Sequence, residues 1–228
     1  SFSIKKNLIN RNWLSKVRKI LFNEQKKYGV SISGGDITKS SQFIITIVVL
    51  GYPKFKPILR KGAKKNDDIY LTGDIGNSFL GLNVIKKKIN LGKYNNFFKK
   101  QYFEPIIQDR FSSYLKSVAS SSIDVSDGVV QDLKHICDSS KCGALININL
   151  LPFSLIVKKL LKKKRLNLLK IFSNGDDYQI LFTSHKKNRS KIARISKNTK
   201  TKVTRIGLIK KNRKVDFQYN GTKIKLYP

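Results

Sequence analysis

Carboxylates are scarce in this chain and they are not scattered. Fourteen Asp and Glu face 47 Lys and Arg, and twelve of the fourteen are Asp, Glu24 and Glu104 being the exceptions. The Asp gather beside Gly, Ser and Thr, and four such corners could carry chemistry. In Ile32-Ser33-Gly34-Gly35-Asp36-Ile37-Thr38-Lys39-Ser40, an Asp with two hydroxyls suits Mg²⁺ and phosphate oxygens, although the same residues make an ordinary hairpin turn. Gly73-Asp74-Ile75-Gly76-Asn77-Ser78 follows a predicted strand and opens a predicted helix, whose unpaired N–H groups favour a phosphate. It is neither a Walker A loop nor a GxGxxG motif, and a Gly-rich turn capped by Ser78 reads equally well. In Ile123-Asp124-Val125-Ser126-Asp127-Gly128, two carboxylates stand three apart around Ser126, with Asp132 beyond. Asp127 reads as the N-cap of the following helix, and also as a metal ligand, because ionised neighbours are mutually stabilised only with a cation between them. Asn174-Gly175-Asp176-Asp177-Tyr178 adds two more, in a turn or placed to orient a hydroxyl or meet a cationic ring.

Four such corners weigh more together than singly. His135, His185, Cys137 and Cys142 form no nucleophile–base arrangement, which leaves covalent catalysis with little support. Carboxylates, Gly loops and Mg²⁺ fit direct phosphoryl transfer, in which positioning and charge neutralisation supply most of the rate.

Strands and helices must aim these corners. Residues 12–28 predict an amphipathic helix, with Trp13, Val17, Ile20 and Leu21 on one face and Gly29 as its stop. Strands are expected at 30–33, 42–50, 69–72, 122–125, 144–148, 178–183, 203–208, 214–217 and 223–226. Further helices are expected from about Asn77 to Ile89, after Pro105 to Ser117, and over 128–140, 154–169 and 188–196. The order lacks βαβ regularity, so the expected fold class is α/β with mixed sheets, of α+β character. The composition shift at Gly51–Pro57 places the boundary between an N-terminal piece, 1–53, and a fuller domain, 54–228.

The formal charge of +33 raises a nucleic-acid reading. Only nine of the 47 cations are Arg, and no RNP, KH, zinc-finger or helix-turn-helix pattern is present, so no specific nucleic-acid partner is expected. The aromatic-and-Lys stretch around Phe97–Phe103 leaves a basic, non-specific binder as the rival to an enzyme. Lys86–Lys88 and Lys158–Arg165 are expected as solvated helix faces, and the two Cys as partly buried thiols. Without a signal peptide or an apolar run of about 18 residues, no membrane association and a cytoplasmic location are expected. The chain contains no Met, so Ser1 is not a translation start and a fragment is expected.

In this order the corners resemble the thiamine-monophosphate kinase family. The resemblance runs through Ser31–Ser40, then Arg60-Lys61-Gly62-Ala63-Lys64, then Asp68–Ser78. It continues through Ser122-Ile123-Asp124-Val125-Ser126-Asp127-Gly128-Val129-Val130-Gln131-Asp132-Leu133, then Leu151-Pro152-Phe153 and Asn174–Thr183. It implies a PurM-like two-domain architecture with an incomplete first domain, a homodimer, and ATP-dependent phosphorylation of thiamine monophosphate to thiamine diphosphate. It further implies Asp36 and Asp127 as catalytic carboxylates on Mg²⁺, with Gly35, Asp36, Arg60, Ser126 and Asp127 at the nucleotide. The same resemblance implies Asp176, Asp177 and Tyr178 at the substrate. Two positions depart from the family pattern: Asp176 and Gln179 each replace Glu. A third departure is the reduction of an Arg- and Pro-rich stretch to Gln101–Ile106, and the family's N-terminal carboxylate segments have no counterpart. Related families on the same fold act on purine-pathway ribonucleotides, selenide or hydrogenase maturation intermediates.

Overall fold

The computed structural model describes residues 1–5, 9–53, 55–163 and 166–224, which divide into two compact units, Ser1–Lys54 and Phe55–Pro228. Among the described residues no helix is long and apolar enough to cross a membrane.

In the first unit β1 (Phe2–Ile4) is the centre of a three-stranded sheet, pairing in parallel with β2 (Ile37–Lys39) and antiparallel with β3 (Ile44–Ile45). Helix α1 (Arg11–Tyr28) starts where the Asn10 side chain accepts from the Trp13 N–H. It stops at Gly29, whose φ of +64° suits the left-handed C-cap that glycine adopts without penalty. Trp13 lies edge-on to Phe2 and Phe43 and anchors the helix to the sheet. Two expected strands do not form as read from the sequence. At 30–33 the chain is irregular, the Ile32 N–H going to Gln25 Oε1 at 2.6 Å. Of 42–50 only Ile44–Ile45 is strand, and Ile47 to Leu50 are 73 to 88% exposed. β-branched residues favour a strand only where a neighbouring strand takes their backbone groups. The strand at Ile37–Lys39 lies inside the segment read as a loop, because its partner is the distant Phe2–Ile4.

The second unit is built on a seven-stranded sheet. Its strands are β4 (Asp68–Thr72), β5 (Ser121–Asp124), β6 (Gly143–Asn147), β7 (Ile180–Ser184), β8 (Val203–Lys210), β9 (Val215–Tyr219) and β10 (Thr222–Ile224). The spatial order is β10-β9-β6-β8-β4-β7-β5, antiparallel throughout except for β6 against β9. Its helices are α2 (Asn77–Ile85), α3 (Asn95–Phe103), α4 (Asp109–Ser112), α5 (Val129–Ser140), α6 (Leu155–Lys162), α7 (Leu168–Ser173) and α8 (Arg189–Thr199).

Helices cover the sheet on both faces, and the period-two alternation of β4 records it. Ile69 and Leu71 join one core with Leu80, Leu133, Val157 and Ile171, while Tyr70 joins a second with Phe111, Phe182 and Ile192. Tyr70 stacks on Phe182 across the β4–β7 pair at 5.1 Å. Helix α3, missed in the sequence, packs on α2 at Gly81, where a Cβ would meet the Phe98 carbonyl oxygen at 2.1 Å. The helix expected after Pro105 is reduced to α4 and a 3₁₀ turn at Leu115–Ser117. The single helix expected over 154–169 is instead α6 and α7, and its Lys164 and Arg165 lie outside the described residues, as do 225 and 226 of the last expected strand. Both cysteines are buried.

Candidate active site

Strand β7 lies between β4 and β5 and runs antiparallel to both. The C-terminal ends of β4 and β5 and the entrance to β7 therefore meet at one end of the sheet. Three of the four sequence corners meet there: 73–78, 124–128 and 174–178. The fourth, Gly34-Gly35-Asp36, belongs to the first unit, where Asp36 accepts from the Ile37 N–H through Oδ1 and from the Phe2 N–H through its carbonyl.

Backbone contacts weld the 124–128 and 174–178 corners together. The Asp176 N–H donates to the Ser126 carbonyl and the Tyr178 N–H to the Val125 carbonyl, each at 2.9 Å. Two glycines permit that approach. A Cβ on Gly175 would stand 1.9 Å from the Ser126 carbonyl oxygen, and one on Gly128, at φ +121°, would stand 2.6 Å from that of Ser173. Asp176 and Tyr178 both take positive φ, +65° and +49°. Positive φ is rare for a bulky residue and costs of order 1 kcal/mol or more, a strain that recurs at binding sites.

Asp127 does not cap the helix as the sequence suggested. Helix α5 begins after Gly128 with no side-chain cap, and capping runs in reverse: Oδ2 of Asp132 accepts from the N–H groups of Asp127 and Gly128, at 3.2 and 3.0 Å. Asp132 is 1% exposed. Burial pushes its carboxyl up, the two N–H groups pull it down, and the charges of Asp127 and Asp124 push it up again, leaving it raised. The Asp127 side chain is 63% exposed, with Oδ2 3.9 Å from Nε2 of His135. Ligand atoms of Asp127, Asp132 and His135 lie within 4.8 Å of one another. The carboxylate oxygens suit a hard cation such as Mg²⁺, whereas the imidazole suits softer ions. His135 was missed as a member of this group; its position one turn beyond Asp132 on the same helix face is the signal that could have found it.

The remaining residues divide sharply. Tyr178 is exposed; Asp176 is half-buried and lines a cavity of about 210 Å³ together with Phe79, Lys86 and Lys88. Burial, with the nearby Asp176 and Asp124 charges, pushes the Tyr178 phenol up. Asp177, by contrast, faces the interior and accepts from the Gly76 N–H at 2.5 Å and the Ser78 N–H at 3.2 Å. Gln179 is buried and uses its whole amide. Oε1 accepts from Thr72 and Gln108, and Nε2 donates to the carbonyls of Ile106 and Asp177. Ser126 is half-buried at the corner itself. Arg60 is exposed, and its carbonyl accepts from Ser140 at the C-terminal end of α5. At about 1.5 Å per residue, that is roughly 18 Å along the helix from Gly128. The backbone of Arg60 is thus not brought to the Asp127 corner.

No protein-family model matches the chain. It is 36% identical over 223 residues to a thiamine-monophosphate kinase of Buchnera aphidicola subsp. Schizaphis graminum, covering 92% of this chain and 68% of that protein. A second, from Buchnera aphidicola subsp. Acyrthosiphon pisum, is 36% identical over 204 residues, with coverage of 88% and 62%. The chain thus spans about two thirds of the length of these curated relatives. The solved complex of AaThiL with AMPPCP and TMP superposes with a TM-score of 0.76 at 20% identity, covering 99% of this chain and 70% of the other, a likeness of fold. By its sequence kinship, the chain belongs to the thiamine-monophosphate kinase family.

Proposed function

We propose that the protein transfers the terminal phosphoryl group of ATP to a phosphate oxygen of thiamine monophosphate, giving thiamine diphosphate. Family membership supports this reading, as does the binding of AMPPCP and TMP by the structurally similar AaThiL. The observation that carries it is the corner where an exposed Asp127, free of capping duty, adjoins a pinned loop bearing Asp176 and Tyr178. Asp127, with the unused oxygen of Asp132, would hold Mg²⁺, which when bound neutralises phosphate charge as the phosphoryl group moves. For Asp36, Gly35 and Arg60 the assignment to metal and nucleotide rests on the resemblance alone.

Asp176 and the Tyr178 ring offer a carboxylate and an aromatic face to a cationic ring such as a thiazolium. Lys86 and Lys88, which line the same cavity as Asp176, offer positive charge to its phosphate. Asp177 is not included among the groups that touch substrate, because its carboxylate is turned inward. A homodimer remains part of the proposal, and the exposed apolar run Ile47–Leu50 supports it. The decisive assay is ADP release by the chain with ATP and Mg²⁺, with and without thiamine monophosphate. Release that depends on thiamine monophosphate and stops with EDTA is expected. A folded chain whose release is indifferent to thiamine monophosphate would refute the reading.

A further inference from the structure

The least accessible carboxylate of the loop is the one with the most defined partners. Asp177 is 4% exposed and its two oxygens are used separately: Oδ2 takes the Gly76 N–H and Oδ1 the Ser78 N–H. Those donors are the N-cap and second residue of α2, whose first turn has no other side-chain cap. An acid there satisfies orphan N–H groups and faces the positive end of the helix dipole. Gly76 itself, at φ +80°, is pressed against Ile171, so the turn leading into α2 has little room to shift.

Asp177 sits between the two residues of the loop whose side chains look outward. On its other side that loop is fastened to the 125–128 corner by the Asp176 and Tyr178 N–H groups. The Asp177 side chain thus ties this loop to the start of α2 while backbone bonds tie it to the 124–128 corner, and the positive φ of Asp176 and Tyr178 is held between fixed points.

We propose that Asp177 is a positioning residue. It pins the 174–178 loop to the start of α2 and so sets the orientation in which Asp176 and Tyr178 meet the substrate. The inference rests on the proposed function for what the loop binds. The chemistry makes Asn a discriminating replacement. An Asn has one acceptor oxygen, so one of the two N–H groups would face its NH₂, donor against donor. The pin would be half undone without a change of volume.

The test compares wild type, Asp177→Asn and Asp176→Asn as full chains, each first shown to be folded by thermal melting. Two readouts are taken: KM for thiamine monophosphate and for ATP, and amide hydrogen exchange over 74–79 and 174–178. For Asp177→Asn, KM for thiamine monophosphate should rise about tenfold or more, the scale expected when one buried hydrogen bond is lost. KM for ATP should stay within about twofold. Exchange should quicken in both segments. Asp176→Asn, as a contact residue, should raise the same KM with exchange unaltered. Raised KM without faster exchange would make Asp177 a direct contact, and faster exchange with unaltered KM would make it a purely structural cap; either overturns the proposal. A wild-type chain that neither turns over nor binds thiamine monophosphate would instead sink the functional reading, and exchange would then report on the pin alone: unaltered exchange in Asp177→Asn refutes it.

Discussion

Asp127 and Asp132 are five residues apart and their donor atoms are near neighbours, yet they should fail in different ways when changed. Asp127 makes no cap, is 63% exposed, and among the described residues is paired with His135 at 3.9 Å, an ion pair only when the imidazole is protonated. An exposed pair of that kind contributes little, so Asp127→Asn should alter stability by less than about 0.5 kcal/mol. Its turnover should nevertheless drop by a factor on the order of 100 if the carboxylate holds the metal. Asp132 is the reverse case. Its Oδ2 alone takes both N–H groups, so Asp132→Ala orphans one buried donor, that of Gly128, and one part-buried donor, that of Asp127. Leaving a buried donor unsatisfied costs about 1–3 kcal/mol and a part-buried one less, so about 2 kcal/mol is expected in total. Asp132→Asn should cost under about 1 kcal/mol, because a single oxygen can still accept both bonds. Urea denaturation of the three variants beside the wild type, with ADP release measured on the same preparations, separates the roles. A strongly destabilised Asp127→Asn, or an Asp132→Ala as stable as wild type, would show that the reverse capping is misread. Wild-type turnover in Asp127→Asn would remove that carboxylate from the reaction.

Three further outcomes follow from the same geometry. Gly175→Ala places a Cβ 1.9 Å from the Ser126 carbonyl oxygen, and the loop must shift to admit it. Overpacking of this kind costs about 1–3 kcal/mol and should raise KM for thiamine monophosphate, whereas unaltered melting and KM would show the corner to be loose. Gln179→Glu sets a carboxylate against the carbonyls of Ile106 and Asp177 and should lower stability by about 2 kcal/mol in urea titrations; a neutral result would mean that those amide bonds are dispensable. Burial raises the Asp177 carboxyl to about 7 despite the N–H groups that lower it. Its folded pKa lies above its unfolded one, so this group's contribution to stability is full at low pH and declines as pH rises from about 4 to about 7. Between about pH 5 and pH 8 the decline is roughly 3 kcal/mol, and Asp177→Asn should lack it; parallel pH–stability curves for the two proteins would contradict the burial argument.

Much of this molecule was legible in its sequence. Asp beside Gly and Ser at strand ends located the three corners that the sheet assembles, because a turn into a helix needs those residue types wherever it occurs. The alternation of β4 and the apolar face of α5 followed in the same way from periodicities of two and 3.6. What local pattern could not decide was set by partners far away in the chain. Ile37–Lys39 is a strand because Phe2–Ile4 lies beside it, and Ile47–Leu50, stronger by composition, is not one because no described strand pairs with it. Asp127 read as a cap or a metal ligand, and the resemblance put Asp177 at the substrate; tertiary contacts leave Asp127 without a capping role and give Asp177 one. The start of α5 is satisfied by Asp132 from within the helix, and the start of α2 by Asp177 from about a hundred residues away. Sequence determines which groups are able to hydrogen-bond; burial and the closure of the sheet decide which donor each carboxylate meets, and so which acids are left to face solvent and substrate.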